Sequence, residues 1–311
     1  MKTFLHRTPL FLAAAVGLAM SSGCGGVRNI SAGAALATSG STSSSGSSSG
    51  SSNGGSPTSG SGSSGGSSTG SSGGSGATSA SAPASVPSNA ISVSAIQALE
   101  SWNDAYDTGT SGSSGSATGA MSLTNAPAMS GNAREFATTY LNSGGERYYV
   151  SFGSDTASTN FFYDVWVYLP ASPADISNLE FDMNQVMANG QTVIYGFQCD
   201  GYSSTWDYTE NAGTPEVPID RWVKSAEACN IHDWSIDTWH HVQVSYARDN
   251  SGNVTYNSVW LDGVEQPINA TVPSAFALGW GSTLLTNFQV DGLGAAGSST
   301  AYLDNLTVYR W

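Results

Sequence analysis

Phe161-Phe162-Tyr163-Asp164-Val165-Trp166-Val167-Tyr168-Leu169 is apolar at every odd position. Side chains along a β-strand alternate between two faces, so Phe161, Tyr163, Val165, Val167 and Leu169 are expected in a core, with Phe162, Asp164, Trp166 and Tyr168 on the opposite face. The same reading puts Leu179, Phe181 and Met183 inward and Glu180, Asp182 and Asn184 outward. It places Val242, Val244 and Tyr246 inward with His241, Gln243 and Ser245 outward, and Phe288 and Val290 inward with Asn287, Gln289 and Asp291 outward. Several strands therefore offer amide, carboxylate and aromatic groups on a face that is not the core.

Similar short runs, bounded by Gly, Asn, Asp, Ser and Pro, fill the chain beyond Ile91, and every Trp and Tyr lies there. Strands are expected over residues 134–141, 146–152, 160–169, 177–186, 192–200, 221–228, 239–248, 254–261, 284–290 and 301–310. Residues 95–103 carry the one hint of helical spacing, and residues 108–119 read as a long surface loop. About 220 residues patterned this way suit one all-β sandwich or barrel over 91–311.

The front of the chain is different. Lys2, His6 and Arg7 precede the apolar stretch Leu10 to Met20 and the small residues Ser21-Ser22-Gly23-Cys24, the pattern of a secretory signal over residues 1–23. That apolar stretch is about half the roughly 20 residues a membrane span needs, so no transmembrane helix is expected. Cys24 follows small residues as in a bacterial lipobox, although Ser21 stands where Leu is usual, so lipidation at Cys24 and signal cleavage with an incidental thiol both remain open. Residues 24–90 are dominated by Ser, Gly, Thr and Ala, with too little to bury, and are expected to form a disordered tether. Cys199 and Cys229 form the remaining pair, and in an oxidising compartment a disulfide between them is expected.

Formal net charge is −14, and all 23 acidic residues lie beyond residue 90. The six basic residues there, Arg134, Arg147, Arg221, Lys224, Arg248 and Arg310, make no stripe for phosphates, which argues against nucleic acid and polyanions. No zinc-ligand spacing and no nucleophile elbow or phosphate loop is visible. Asp249-Asn250-Ser251-Gly252 has the start of a calcium loop without its later bidentate Glu. Structural calcium stays open there, and no other cofactor is expected.

Trp239-His240-His241-Val242-Gln243-Val244-Ser245-Tyr246, the turn Asp249 to Asn253, and Val259-Trp260-Leu261-Asp262-Gly263-Val264 together resemble the hairpin of laminin G-like and concanavalin A-like jelly rolls, as does the ending Leu303 to Val308. The resemblance covers 91–311 and implies two antiparallel sheets with a concave, often sugar-binding face. Glu180-Phe181-Asp182-Met183-Asn184-Gln185 is similar to the E-x-D-x-x-E strand of laminarinase- and lichenase-type glucanases. That likeness implies Glu180 as nucleophile and Asp182 as its orienting partner, but Gln185, or Asn184 if the strand has no bulge, stands where the acid is needed and cannot carry a proton.

The expectation is therefore a surface-tethered, monomeric, non-catalytic domain that binds a polysaccharide through Trp166, Glu180, Asp182, Gln185, Trp206, His241, Gln243, Gln289 and Asp291. It would be exported and would meet a membrane only through a lipid on Cys24. A glycoside hydrolase or polysaccharide lyase with its acid elsewhere (Glu180 and Asp182 then catalytic) and an adhesion module for a protein partner are the alternatives. Reducing-sugar release and glycan-free pull-down separate them.

Overall fold

The computed structural model describes residues 85–107 and 115–311, together with the backbone of Val27–Arg28. The readings of a signal, of Cys24 and of most of the Ser/Gly tether fall outside the described residues. In chain order the strands are β1 (Val27–Arg28), β2 (Ile91–Val93), β3 (Asn103–Asp107), β4 (Ser116–Thr124), β5 (Ala133–Leu141), β6 (Gly145–Gly153), β7 (Asn160–Tyr168), β8 (Ile176–Val186) and β9 (Thr192–Tyr195). They continue as β10 (Phe197–Asp200), β11 (Thr205–Asn211), β12 (Asp220–Ala228), β13 (Trp239–Arg248), β14 (Asn253–Leu261), β15 (Val264–Pro273), β16 (Ala275–Phe276), β17 (Leu284–Gly292) and β18 (Gly297–Arg310).

Two antiparallel sheets result. The first runs β1-β12-β11-β10-β8-β17-β6-β3, with β9 and β16 alongside β8. The second runs β15-β14-β13-β7-β18-β5-β4, with β2 on β18. The chain crosses between sheets repeatedly, so the fold is the expected all-β two-sheet sandwich of jelly-roll type. All ten expected strands are present, the run 192–200 being broken at Gly196 into β9 and β10. The expected helical segment is only a 3-10 turn, Ile96–Ala98. The expected loop over 108–119 gives way to β4 from Ser116 onward, a strand on the sheet edge with little apolar patterning of its own.

The inward residues read from alternation fill the space between the sheets. Phe161, Tyr163, Val165 and Val167 face Leu179, Phe181, Met183, Phe288 and Val290 in one continuous core with Val242, Val244 and Tyr246. Phe181 and Phe288, opposite each other in register, lie 5.7 Å apart between ring centroids. Phe162 faces outward as expected but is buried all the same, between Trp260 and Tyr309. The turn after β14 uses Asp262 (φ 53°) and Gly263 (φ 82°), two successive left-handed positions that an Asp-Gly pair adopts at low cost.

Cys199 and Cys229 are bridged, tying β10 to the end of β12 over a sequence separation of 30. A loop of that size contributes about 3 kcal/mol in the chain-entropy picture. Replacing both cysteines by Ser is expected to lower unfolding free energy by about that amount, read from urea unfolding as a lower midpoint with a steeper slope, because the freed unfolded chain exposes more surface.

Candidate functional site

The alternation that sends Phe181 and Phe288 into the core turns their neighbours out of it. On the first sheet the outward positions are Asn178, Glu180, Asp182 and Asn184 on β8, Asn287, Gln289 and Asp291 on β17, Gln198 and Asp200 on β10, Asp207 on β11, and Arg147 and Tyr149 on β6. Register aligns them across the strands. Arg147 pairs with Gln289, Gln289 with Glu180, Glu180 with Gln198, Gln198 with Asp207 and Asp207 with Lys224, giving one unbroken polar row over six strands. A second row holds Tyr149, Asn287 and Asp182, and a third holds Asp291, Asn178, Asp200 and Thr205.

Neutral donors hold these carboxylates in place. Gln289 Nε2 donates to Glu180 Oε1 at 3.0 Å and to Asp291 Oδ1 at 3.0 Å. Asn178 Nδ2 lies 2.7 Å from Asp291 Oδ2, 2.8 Å from Gln198 Oε1 and 3.2 Å from Glu180 Oε1. Asp182 accepts from the Phe197 backbone N–H at 3.1 Å and from Asn287 Nδ2 at 3.0 Å. Asp291 lies across Gly145, its partner in register: a Cβ there would sit 1.5 Å from Asp291 Oδ1, so any larger residue would displace the carboxylate.

Amide orientation then follows. The NH2 of Gln289 must sit between two carboxylates, which turns its Oε1 the other way. Among the described residues Gln289 Oε1 accepts no hydrogen bond, and neither do Asn184 Oδ1 and Asp207 Oδ2, although all three atoms are buried. A buried polar group without a partner costs about 1–3 kcal/mol, so three acceptors on one face are a destabilising arrangement unless a donor arrives.

Asp200 and Asp207 form a carboxyl pair at one end of the row. Asp200 accepts from the backbone N–H groups of Tyr202 and Ser203 at 2.9 and 3.1 Å. Asp207 accepts from the Thr205 hydroxyl at 2.6 Å. Burial pushes the Asp207 carboxyl up to about 7, the neighbouring charge of Asp200 adds to the rise, and the Thr205 hydroxyl opposes it.

The structure divides the sequence-predicted residues. Glu180, Asp182, Gln289 and Asp291 come together on this face. Trp166, His241 and Gln243 lie on the outer face of the second sheet, because β7 and β13 belong there. In that place Trp166 stacks on His241 at 4.2 Å, and Asp164 accepts from Gln243 Nε2 at 2.8 Å and pairs with His241 Nε2 at 2.7 Å.

Trp206, expected to offer its ring to a sugar, is completely buried between the sheets. It stacks on Phe197 at 5.0 Å and donates from its indole nitrogen to Gln266 Oε1 at 2.7 Å. Gln185 is also inward. No bulge interrupts β8 between Asn178 and Gln185, so parity turns Gln185 away from Glu180. There it donates to the carbonyls of Asp155 and Ser158 and accepts from Tyr195 and Arg248. Asn184 occupies the outward position instead.

Asn178, Gln198, Asp200 and Asp207 escaped the sequence reading. Gln198-Cys199-Asp200 and Trp206-Asp207-Tyr208 do alternate around inward residues, and that is the signal that could have found them. Asp249 accepts from Ser251 N, Asn253 N and Asn253 Nδ2 within its own hairpin turn. Among the described residues no three His, Cys, Asp or Glu side chains are grouped to hold a metal ion.

Asp207 has a testable thermodynamic signature. Its folded-state value lies above the ordinary unfolded value near 4, so its stabilising protonation is present below about pH 4 and lost as pH rises through 7. Asp207→Asn is therefore expected to raise the urea midpoint relative to the parent protein at pH 8, with the gain vanishing at pH 4. A loss of stability at pH 8 would contradict this account.

No family model matches the chain, and no curated protein matches it. Solved structures similar in fold include a carbohydrate-binding module of the β-sandwich superfamily, at 14% identity and TM-score 0.36 over 68% of this chain and 57% of that one. A family 11 carbohydrate-binding module from Clostridium thermocellum, in complex with a β-1,3-1,4-mixed-linked tetrasaccharide, is similar at 11% identity and TM-score 0.34, over 68% of this chain and 91% of that one. Arcelin-5, a lectin-like defence protein from Phaseolus vulgaris, is similar at 14% identity and TM-score 0.38, over 68% and 98%.

Proposed function

We propose that the outward face of the first sheet binds a polysaccharide. The carrying observation is the pair of buried amide acceptors, Gln289 Oε1 and Asn184 Oδ1, on a face that also carries oriented carboxylates, Arg147 and Tyr149. A ligand that satisfies acceptors must donate, and it must do so on both β8 and β17. Sugar hydroxyls are donors of that kind, repeated along a chain. Tyr149 and Trp222, half-buried on the flanking strands β6 and β12, offer apolar ring surface beside the polar rows, the usual complement to hydroxyl recognition. The fixed amide and carboxylate network means that little side-chain freedom is lost when the ligand docks.

On this reading the front of the chain exports the domain, and a lipid on Cys24 anchors it. Binding is expected for at least one of a panel of soluble mixed-linkage β-glucan, β-1,3-glucan, xylan and galactan, measured by isothermal titration. Gln289→Ala should weaken that binding tenfold or more, the equivalent of about 1.4 kcal/mol. Trp166→Ala and Gln243→Ala, on the other sheet, should leave it within twofold. Silence across the whole panel, or equal losses from both sheets, would sink the proposal.

A further inference from the structure

Gly145 stands opposite Asp291 in the register of β6 and β17. A Cβ there would lie 1.5 Å from Asp291 Oδ1 and 2.7 Å from its Cγ, whereas the nearest backbone atom, the Val290 carbonyl oxygen, would be 3.4 Å away. The conflict is thus with the tip of one side chain, so alanine fits at this position once the carboxylate has moved. Two further features seat Asp291. Gly292 presses on the ring of Tyr140, where a Cβ would come within 2.2 Å of Cδ2. The β17–β8 register also shifts at this point, from Asp291 opposite Asn178 to Gly292 opposite Ile176, an irregularity of the kind that re-aims a neighbouring side chain.

Held there, Asp291 decides which end of an amide meets the ligand. Its Oδ1 and Oδ2 accept from Gln289 Nε2 at 3.0 and 3.1 Å, and Oδ2 accepts from Asn178 Nδ2 at 2.7 Å. Glu180 Oε1 accepts from the same Gln289 nitrogen at 3.0 Å. The two hydrogens of that NH2 therefore each meet a carboxylate, the stronger class of hydrogen bond. Turned over, the amide would set its oxygen against both carboxylates with no hydrogen between them. From this geometry, and resting on the glycan-binding reading above, we infer that Gly145 is a specificity-determining position: by seating Asp291 it locks Gln289 as an acceptor, and the face selects glycans whose hydroxyl at that point is free and rejects the same sugar O-substituted there.

Gln289 is 1% exposed, and its buried Oε1 has no donor among the described residues. A sugar hydroxyl supplies one. A methyl ether or an ester has no hydrogen to give, and its oxygen would meet Oε1 acceptor to acceptor. A site built to pair with a hydroxyl rejects the analogue lacking it more strongly than the bond itself is worth, because the protein group is left buried and unpaired. Gly145 acts only through Asp291 and Gln289 and is a positioning residue. In Gly145→Ala the displaced carboxylate releases one hydrogen of the NH2, the amide can rotate, and its nitrogen can then donate to an ether oxygen. Selectivity changes more than affinity does.

Isothermal titration of the full chain compares whichever panel polysaccharide binds with the same polymer partly O-methylated. The parent protein should bind the methylated form about tenfold more weakly or worse, and Gly145→Ala should narrow that ratio to about threefold. Gly145→Ala should also weaken binding of the unsubstituted polymer about fivefold, yet change nothing further when added to Gln289→Ala, a non-additivity that a general packing defect would not produce. Without ligand, NMR should show the Gln289 NH2 hydrogens exchanging about tenfold faster with solvent in Gly145→Ala, since an amide hydrogen that loses its acceptor loses its protection. Equal binding of both polymers by the parent, or losses that add in the double variant, overturn the inference and leave the binding reading standing. Unchanged exchange at Gln289 in Gly145→Ala overturns the lock whether or not a ligand is found. Silence from every polysaccharide removes the binding reading and this inference with it.

Discussion

The register between β8 and β17 fixes both halves of this molecule at once. Phe181 opposite Phe288 and Leu179 opposite Val290 seal the space between the sheets, and the same pairing sets Glu180 opposite Gln289 and Asp182 opposite Asn287 on the other side. Because side chains alternate with a period of two, a slip of one residue would drive Glu180 and Asp182 into the core and present Phe181 to the polar face. Burial of the aromatic side therefore enforces the geometry of the polar side. The candidate site inherits its precision from hydrophobic packing rather than from its own hydrogen bonds.

Those hydrogen bonds have a different role. Carboxylates taken out of water are costly unless donors replace the lost hydration, and here side-chain amides and the Phe197 backbone N–H do so. Each Asn or Gln that points its NH2 at a carboxylate must point its carbonyl oxygen elsewhere, which is how the network leaves buried acceptors such as Gln289 Oε1 without a donor. Asp207 lies at the end of this arrangement, where burial and Asp200 act together and the Thr205 and Ser203 hydroxyls oppose them.

Inward and outward assignment was legible in the sequence for β7, β8, β13 and β17 because each has a fully buried side that demands strict alternation. Sheet membership was not, since parity says which way a side chain leaves its own strand and nothing about which sheet that strand joins. Trp166 and Glu180 were both correctly turned from the core, yet they leave from opposite sides of the sandwich. Trp206 escaped because an aromatic between Thr205 and Asp207 satisfies a core pattern and a sugar platform equally well. The strands missed outright are largely edges: β3, β4 and β15 end their sheets, carry few apolar residues, and in β15 include Pro267 and Pro273, which an edge tolerates and a central strand does not. Gln185 looked like a failed acid; in fact its parity sends it to brace Arg248 and the loop around Asp155.

β17 and β18 follow each other at the end of the domain, yet each lies in the middle of its sheet: β17 between β8 and β6, and β18 between β7 and β5. Before these two strands are placed, both sheets have an open seam along their centres, and the edges of β8, β6, β7 and β5 are exposed to mispairing. The domain therefore cannot fold progressively as it leaves the ribosome; its contacts are dominated by long sequence separations, and closure is one late, cooperative event. The native state therefore stays out of reach until β17 and β18 have both been synthesised.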